Sequence, residues 1–314
     1  VLTSGQSPSA TGDGLGTGPR ILVTGANGQL GRALQALAAR ETGAARYCFA
    51  SHQQLDITQP EALTRWLDAH PADCLINAAA YTAVDQAAHE PQQALALNAK
   101  APGQMARLCA ARGVRLLHVS TDYVFDGHLG RPYRETDPVA PLNTYGRSKL
   151  LGEQAVLQAV PEALIIRTSW VFSAWGANFV RTMLRLGRER EQLRVIADQR
   201  GGPTWAGHLA HVLHALALRP AAQTPGGLYH LSGSPDVSWY EFALEIFQQA
   251  LALGLIVRVP AVTPIAAHEW PSPEPRPANS RLDCARLESL LGPVARDWRA
   301  GLACVLQDWQ RQGL

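Results

Sequence analysis

The stretch 20-RILVTGANGQLGRALQALAAR-40 decides the fold. Arg20 to Thr24 form a short apolar run, and Leu30, Leu34 and Leu37 then recur at helical spacing. Between them Gly25-Ala26-Asn27-Gly28-Gln29-Leu30-Gly31 reads G-x-x-G-x-x-G. A strand-to-helix turn of this kind needs tight reversal, close backbone approach to a pyrophosphate, and intimate packing of helix on strand. Glycine meets all three demands, and the helix N-terminal N–H groups then point at the anion. A tight βα turn without a ligand would show the same glycines. The strand before and the helix after favour dinucleotide binding.

Outward from this turn the same alternation recurs. ARYCFA (45–50) precedes the helical EALTRWLDAH (61–70), DCLINAAA (73–80) precedes a helix over 91–112, and VRLLHVS (114–120) follows. Strands alternating with helices predict parallel βαβ units whose right-handed crossovers cover both faces of a sheet. The expected fold class is therefore α/β, a Rossmann-type doubly wound parallel sheet with a smaller C-terminal substrate-binding lobe. Further strands are expected at ALIIRTSWVF (163–172) and GLYHLSG (227–233), before the Pro-rich stretch 260–280 changes the character of the chain. The expected division is a dinucleotide-binding domain over 20–172, completed by 196–233, with the lobe from 173–195 and 234–314. Residues 1–19, rich in Gly, Ser and Thr with almost no bulky apolar side chains, are expected to be a disordered leader.

Composition narrows the function classes. A formal charge of +2 from 28 basic and 26 acidic residues, without a long single-sign run, gives no electrostatic footprint of a nucleic-acid binder. No apolar run approaches the roughly 18 residues of a membrane span, so no membrane partner is expected. The five cysteines, Cys48, Cys74, Cys109, Cys284 and Cys304, are scattered and lack Cys-x-x-Cys spacing. Neither a disulfide framework nor a zinc site is indicated, and a reducing cytoplasm fits.

About 20 residues beyond the glycines, where an acid would hold the adenosine ribose of NAD, the sequence reads Ala50-Ser51-His52-Gln53. Arg32, just after the last glycine, is placed to face a 2′-phosphate instead, which favours NADPH, with NADH as the alternative. A solvated helix residue is the competing reading of Arg32. Asp56 is suited to accept from the adenine amino group or to cap the following helix.

In 141-PLNTYGRSKLLGEQAV-156, Tyr145 and Lys149 stand four positions apart in a segment that begins a helix, which puts both on one face. A phenol of reference pKa about 10 is a poor acid or base at neutrality, and a nearby ammonium favours its ionised form. Such a pair suits proton transfer at a substrate oxygen. Tyr-x-x-x-Lys alone is common and usually structural. Here it lies downstream of a dinucleotide turn and of the strand end 118-HVSTDYVFDG-127.

The glycine turn, NAAA, STD and YxxxK together resemble the extended short-chain dehydrogenase/reductases. NAAAYTAVDQAAHEP (77–91), STDYVFDG (120–127), PLNTYGRSK (141–149), RTSWVF (167–172), DQRGGPTWA (198–206) and RPANSRLD (276–283) narrow the likeness to the dTDP-4-dehydrorhamnose reductase family. The resemblance implies reduction of the C4 keto group of dTDP-4-dehydro-β-L-rhamnose to dTDP-β-L-rhamnose. Carried over by motif, Thr121 would hydrogen-bond the carbonyl, Tyr145 would deliver the proton, and Lys149 would hold the ribose and tune Tyr145. Gly28, Gln29 and Leu30, within a turn that also counts Gly25, Asn27 and Gly31, would meet the pyrophosphate. Asp56 and Ile57 would meet the adenine side, and Ala78, Ala79 and Ala80 the dinucleotide at their strand end. Asp122, with its neighbour Tyr123, and Trp170 match substrate-contacting positions; core packing competes for Trp170. Arg276 and Arg281 would reach the nucleotide diphosphate unless their Pro-rich loop is merely solvated. Some family members are associated with Mg²⁺ and with homodimers, although no ligand cluster in this sequence points to a metal.

Two related enzymes and one non-enzyme compete. A nucleotide-sugar 4,6-dehydratase needs a second carboxylate immediately after the Asp of Ser-Thr-Asp, and here that position is Tyr123. A phenol without its own lysine is ill suited to serve as that base. A 4-epimerase uses the same Thr, Tyr and Lys with retained NAD⁺. A non-catalytic NADP-binding regulatory subunit would not need Thr121, Tyr145 and Lys149 intact.

Overall fold

The computed structural model describes residues 18–313, so the expected leader, all but its last two residues, lies outside the described part. Six strands make one parallel sheet: β1 (Arg20–Thr24), β2 (Arg46–Ala50), β3 (Cys74–Asn77), β4 (Arg115–Thr121), β5 (Leu164–Thr168) and, far along the chain, a last strand at Gly227–Leu231. β3 and β5 are buried along their whole length, as expected of strands covered on both faces. Alternation along β1 sends Ile21 and Val23 to one face and Leu22 to the other. On the first face lie helices α1 (Gln29–Ala38) and Ala206–Leu218; on the second lie α2 (Pro60–Ala69) and Ala101–Arg112, with Val156 of the helix Thr144–Ala159. The sheet order, from Gly227–Leu231 through β5, β4, β3 and β1 to β2, reverses between β1 and β3. That reversal opens a crevice at the carboxyl ends of the strands.

The helix expected over 91–112 is three segments in line. After the short α3 (Val84–Ala87) come α4 (Pro91–Leu95), a π-helical turn Ala96–Lys100, and α5 (Ala101–Arg112). The wide turn delivers buried Asn98, whose amide accepts from the Tyr81 N–H at 2.9 Å and donates to the Tyr81 carbonyl and to Ser148 Oγ. The chain leaving β3 is thereby fixed against α6 (Thr144–Ala159).

The strand expected over 163–172 breaks in two. β5 ends at Thr168, Trp170 takes φ +49°, and β6 (Val171–Phe172) pairs outside the main sheet. The Trp170 ring stacks on Trp239 at 3.4 Å between centroids where the chain passes into the second lobe. There α7 (Phe179–Glu189), β7 (Gln192–Ile196), β8 (Arg200–Gly201) and β9 (Thr204–Trp205) lead back into α8 (Ala206–Leu218) and β10 (Gly227–Leu231). β11 (Val237–Ser238), α9 (Trp239–Ala252), β12 (Ala261–Ile265), β13 (Asn279–Ser280), α10 (Ala285–Leu291) and α11 (Trp298–Arg311) follow. β7 pairs with β12, and β8 with β11 and β13, so residues 200–201, expected with the dinucleotide-binding domain, join strands of the lobe. A separate core of Phe172, Leu184, Phe242, Phe247, Trp298 and Trp309 holds the lobe together. Among the described residues no helix is long and apolar enough to cross a membrane.

One buried ion pair ties α6 to the sheet. Arg167 on β5 donates through Nε and Nη2 to the two Glu153 oxygens at 2.9 and 2.6 Å, and each side chain is only 2% exposed. Ser120 on β4 donates to the same carboxylate at 2.5 Å. Removing one partner leaves the other charge buried and uncompensated. Glu153→Ala is therefore expected to lower the unfolding free energy by about 3–5 kcal/mol in urea denaturation. A loss within about 1 kcal/mol, the range of an exposed pair, would show that the pair does not hold α6 in place.

Candidate active site

A cavity of about 810 Å³ occupies the crevice. It is lined by Asn27, Gly28, Gln29 and Leu30 from the glycine turn, by Ala78, Ala79 and Ala80 after β3, and by Thr121, Asp122 and Tyr123 after β4. Tyr145 and Lys149 from α6 and Trp170 from the strand break complete the predicted residues that it brings together.

The turn is built as its sequence requires. Gly25 has φ +71°, and a Cβ there would lie 2.7 Å from the Ala78 backbone; a Cβ at Gly31 would collide with the Gly25 carbonyl. Neither of these two predicted residues lines the cavity; both let backbone segments pack closely around the turn. Gly28 is the N-cap of α1 and offers no side-chain cap, nor does an acid occupy the first turn. Uncapped N–H groups at the positive end of the helix dipole thus face the cavity, an arrangement that fits a pyrophosphate. Gln29 Oε1 accepts from Ser173 Oγ at 3.0 Å and Asn178 Nδ2 at 3.2 Å, tying the turn to the 173–178 segment.

Arg32, Asp56 and Ile57 do not line this cavity. Arg32 is exposed, with Nε donating to the Asn27 carbonyl at 3.3 Å. Asp56 Oδ1 accepts from the N–H and hydroxyl of Thr58 at 2.9 and 2.7 Å, and these bonds hold its carboxyl below the usual range. The N-cap of α2 is Gln59, so Asp56 shapes the approach to the helix without capping it. Ile57 is buried in the core.

At the chemical end, Thr121 closes β4; its hydroxyl donates to Asp122 Oδ1 at 3.0 Å and accepts from the Tyr123 N–H at 3.2 Å. Asn143 caps α6 by accepting from the Gly146 N–H at 2.8 Å, which sets the first turn that carries Tyr145. One turn on, buried Lys149 donates from Nζ to the Val119 carbonyl at 2.7 Å. Burial draws the Lys149 ammonium down to about 8, opposed by Glu153. Burial also pushes the Tyr145 phenol up to about 12, opposed by a hydrogen bond with Thr121. The sequence suggests that Lys149 lowers the phenol; here burial prevails over any such effect. Burial raises Asp122 to about 6, against the nearby Ser280 and Thr121 hydroxyls, and among the described residues its Oδ2 has no hydrogen-bond partner. The Tyr123 ring meets the Tyr145 ring edge-on at 5.7 Å.

Sequence reasoning passed over Thr82, Val84, Asp85, Asn178, Phe179 and Trp239, which also line the cavity. Thr82 to Asp85 sit inside a motif already singled out, whereas Trp239 has no local signal and arrives through the lobe. Of the two arginines of the Pro-rich loop, Arg276 lines the cavity and Arg281 does not; Arg281 donates to Asn279 and to the Gly130 carbonyl. Among the described residues no group of three or more His, Cys, Asp or Glu is placed to hold a metal ion.

Comparison with known proteins agrees with this architecture. A family model described as the RmlD substrate binding domain matches residues 19–311. A dTDP-4-dehydrorhamnose reductase of Aggregatibacter actinomycetemcomitans is 42% identical over 90% of this chain and 97% of its own. The crystal structure of a dTDP-4-dehydrorhamnose reductase from Clostridium acetobutylicum is similar at 35% identity with a TM-score of 0.85, covering 93% of this chain and 99% of that one. Its counterpart from Bacillus anthracis, in complex with NADP, is 34% identical with a TM-score of 0.84, covering 93% and 100%. The chain belongs to the RmlD substrate binding domain family, that of the dTDP-4-dehydrorhamnose reductases.

Proposed function

We propose that this chain reduces the C4 keto group of dTDP-4-dehydro-β-L-rhamnose to dTDP-β-L-rhamnose with NADPH. The observation that carries the reading is a single cavity in which Thr121, Tyr145 and Lys149 stand beside an uncapped helix N-terminus. Gly28, Gln29, Leu30 and Ala78 to Ala80 would hold the dinucleotide, with Lys149 at its ribose. When bound, NADPH supplies the hydride.

The protein's own part is to place the carbonyl and to supply a proton. Tyr145, raised to about 12, keeps its proton at neutral pH and can give it to the developing alkoxide. Thr121 turns its hydroxyl from Asp122 to the keto oxygen and so shares the charge that develops there. Asp122 Oδ2, buried and without a partner among the described residues, is an acceptor for a sugar hydroxyl. Tyr123, held against Tyr145, is where a dehydratase would carry its second carboxylate, and burial raises this phenol too, so it makes a poor base. The complete Thr-Tyr-Lys set speaks for an enzyme over a regulatory subunit. The exposed fork of Arg32 at the end of the glycine turn supports NADPH over NADH.

Three outcomes test this reading. In an assay of NADPH oxidation with freshly generated dTDP-4-dehydrorhamnose, Tyr145→Phe is expected to lower kcat by about 10²–10⁴-fold; a variant within tenfold of wild type would remove Tyr145 from the proton transfer. The ratio kcat/KM should fall as pH drops through about 6, where Asp122 takes up a proton, and again as pH rises through about 8, where Lys149 loses one. Asp122→Asn should abolish the acidic limb only, and a limb that persists in that variant must come from another group. Arg32→Ala should raise KM for NADPH about tenfold while leaving KM for NADH unchanged, a selective loss of the size expected of one charged hydrogen bond. Equal effects on both cofactors would place Arg32 away from a 2′-phosphate.

A further inference from the structure

The charged residues lining the cavity are Asp85, Asp122, Lys149 and Arg276. Lys149 is buried, bonded to the Val119 carbonyl and read above as the ribose contact at the dinucleotide end, which leaves Arg276 as the cation of these four for a ligand at the lobe side. Arg276 Nη2 donates to both oxygens of Asp85, at 2.9 and 2.8 Å, across 191 positions of sequence. The pair joins α3 to the 272–277 segment of the lobe.

The two partners are held very differently. Before Arg276 the backbone is anchored by Asn143 Nδ2, which donates to the Pro275 carbonyl at 2.9 Å, and the Glu274 carboxylate accepts from the Thr144 N–H at 3.1 Å. The guanidinium itself is braced by Ser272 Oγ and lies near the Tyr123 phenol. Asp85 sits on a four-residue helix with its side chain 47% exposed, against 27% for Arg276. An ion pair in contact with water to this extent is weak and easily exchanged. A diphosphate carries more negative charge than a carboxylate and matches the planar fork of an arginine equally well.

Arg276, which the resemblance sets at the diphosphate, is held by Asp85 in the free protein; we infer that Asp85 is a resident carboxylate, released when a nucleoside diphosphate takes its place. The inference rests on the nucleotide-sugar reading proposed above. Asp85 then acts as an internal competitor: it keeps the fork oriented in the free protein and weakens binding by the free energy of the pair it gives up.

Isothermal titration of the full chain with dTDP, and separately with NADPH, tests both halves. Arg276→Gln is expected to weaken dTDP binding about tenfold or more, with NADPH affinity kept as the sign of an intact fold. Asp85→Asn, which removes the charge at constant shape, is expected to tighten dTDP binding about two- to fivefold. That gain should vanish when Arg276→Gln is also present. An Arg276→Gln protein with wild-type dTDP affinity, or an Asp85→Asn protein that binds dTDP no more tightly, overturns the inference alone. A wild-type protein that binds NADPH but not dTDP overturns the nucleotide-sugar reading with it.

Discussion

The pairing of Glu153 with Arg167 is the constraint on which the site depends. Tyr145 and Lys149 are carried by α6, whereas Thr121 and Asp122 belong to the end of β4, so their meeting is set by the register of a helix over a sheet. The Glu153 carboxylate takes two hydrogen bonds from β5 and one from β4, and its depth makes any slippage costly. Lys149 adds a fourth attachment through Val119. A helix pinned in this way presents its first turn at one distance from the strand ends, and catalytic groups need that constancy more than they need strength.

Much of this was legible in the sequence because it is local. The glycine turn, its strand and its helix lie within 21 consecutive residues, Arg20 to Arg40, and Gly25 and Gly31 answer to backbone contacts that a Cβ would obstruct. Tyr145 and Lys149 share a helix face by spacing alone. Much of what escaped is set by tertiary contacts. The polar Arg167-Thr168-Ser169 interrupts the apolar run, but the positive φ of Trp170 and its stacking on Trp239, nearly 70 residues on, have no local signal. The π turn at Ala96–Lys100 is followed by Pro102-Gly103, and Pro102 has no N–H to donate back to the Asn98 carbonyl, a local signal that reading 91–112 as one ordinary helix passes over. Asp85 and Arg276 were visible as residues but not as partners, because their meeting depends on how the lobe folds back.

The electrostatics of the cavity follow from one cause, the removal of water. Burial raises the acids Asp122 and Tyr145 and lowers the base Lys149, so each is pushed toward its neutral form. The effect is useful for a proton donor, which must still hold its proton at neutral pH. It is unsuited to elimination chemistry, in which a base at the position of Tyr123 would have to be ionised.

The break at Trp170 also orders events during synthesis. The chain leaves the sheet after β5, builds most of α7 through β9 against the lobe, and returns to add β10 beside β5. The lobe is finished only when α11 supplies Trp298 and Trp309 to its core. A growing chain thus holds an exposed β5 edge while some 60 further residues, from Thr168 to Gly227, emerge. Until then that edge is open to pairing with another chain, so the interval between β5 and β10 is the stage at which assembly is most exposed to misdirection.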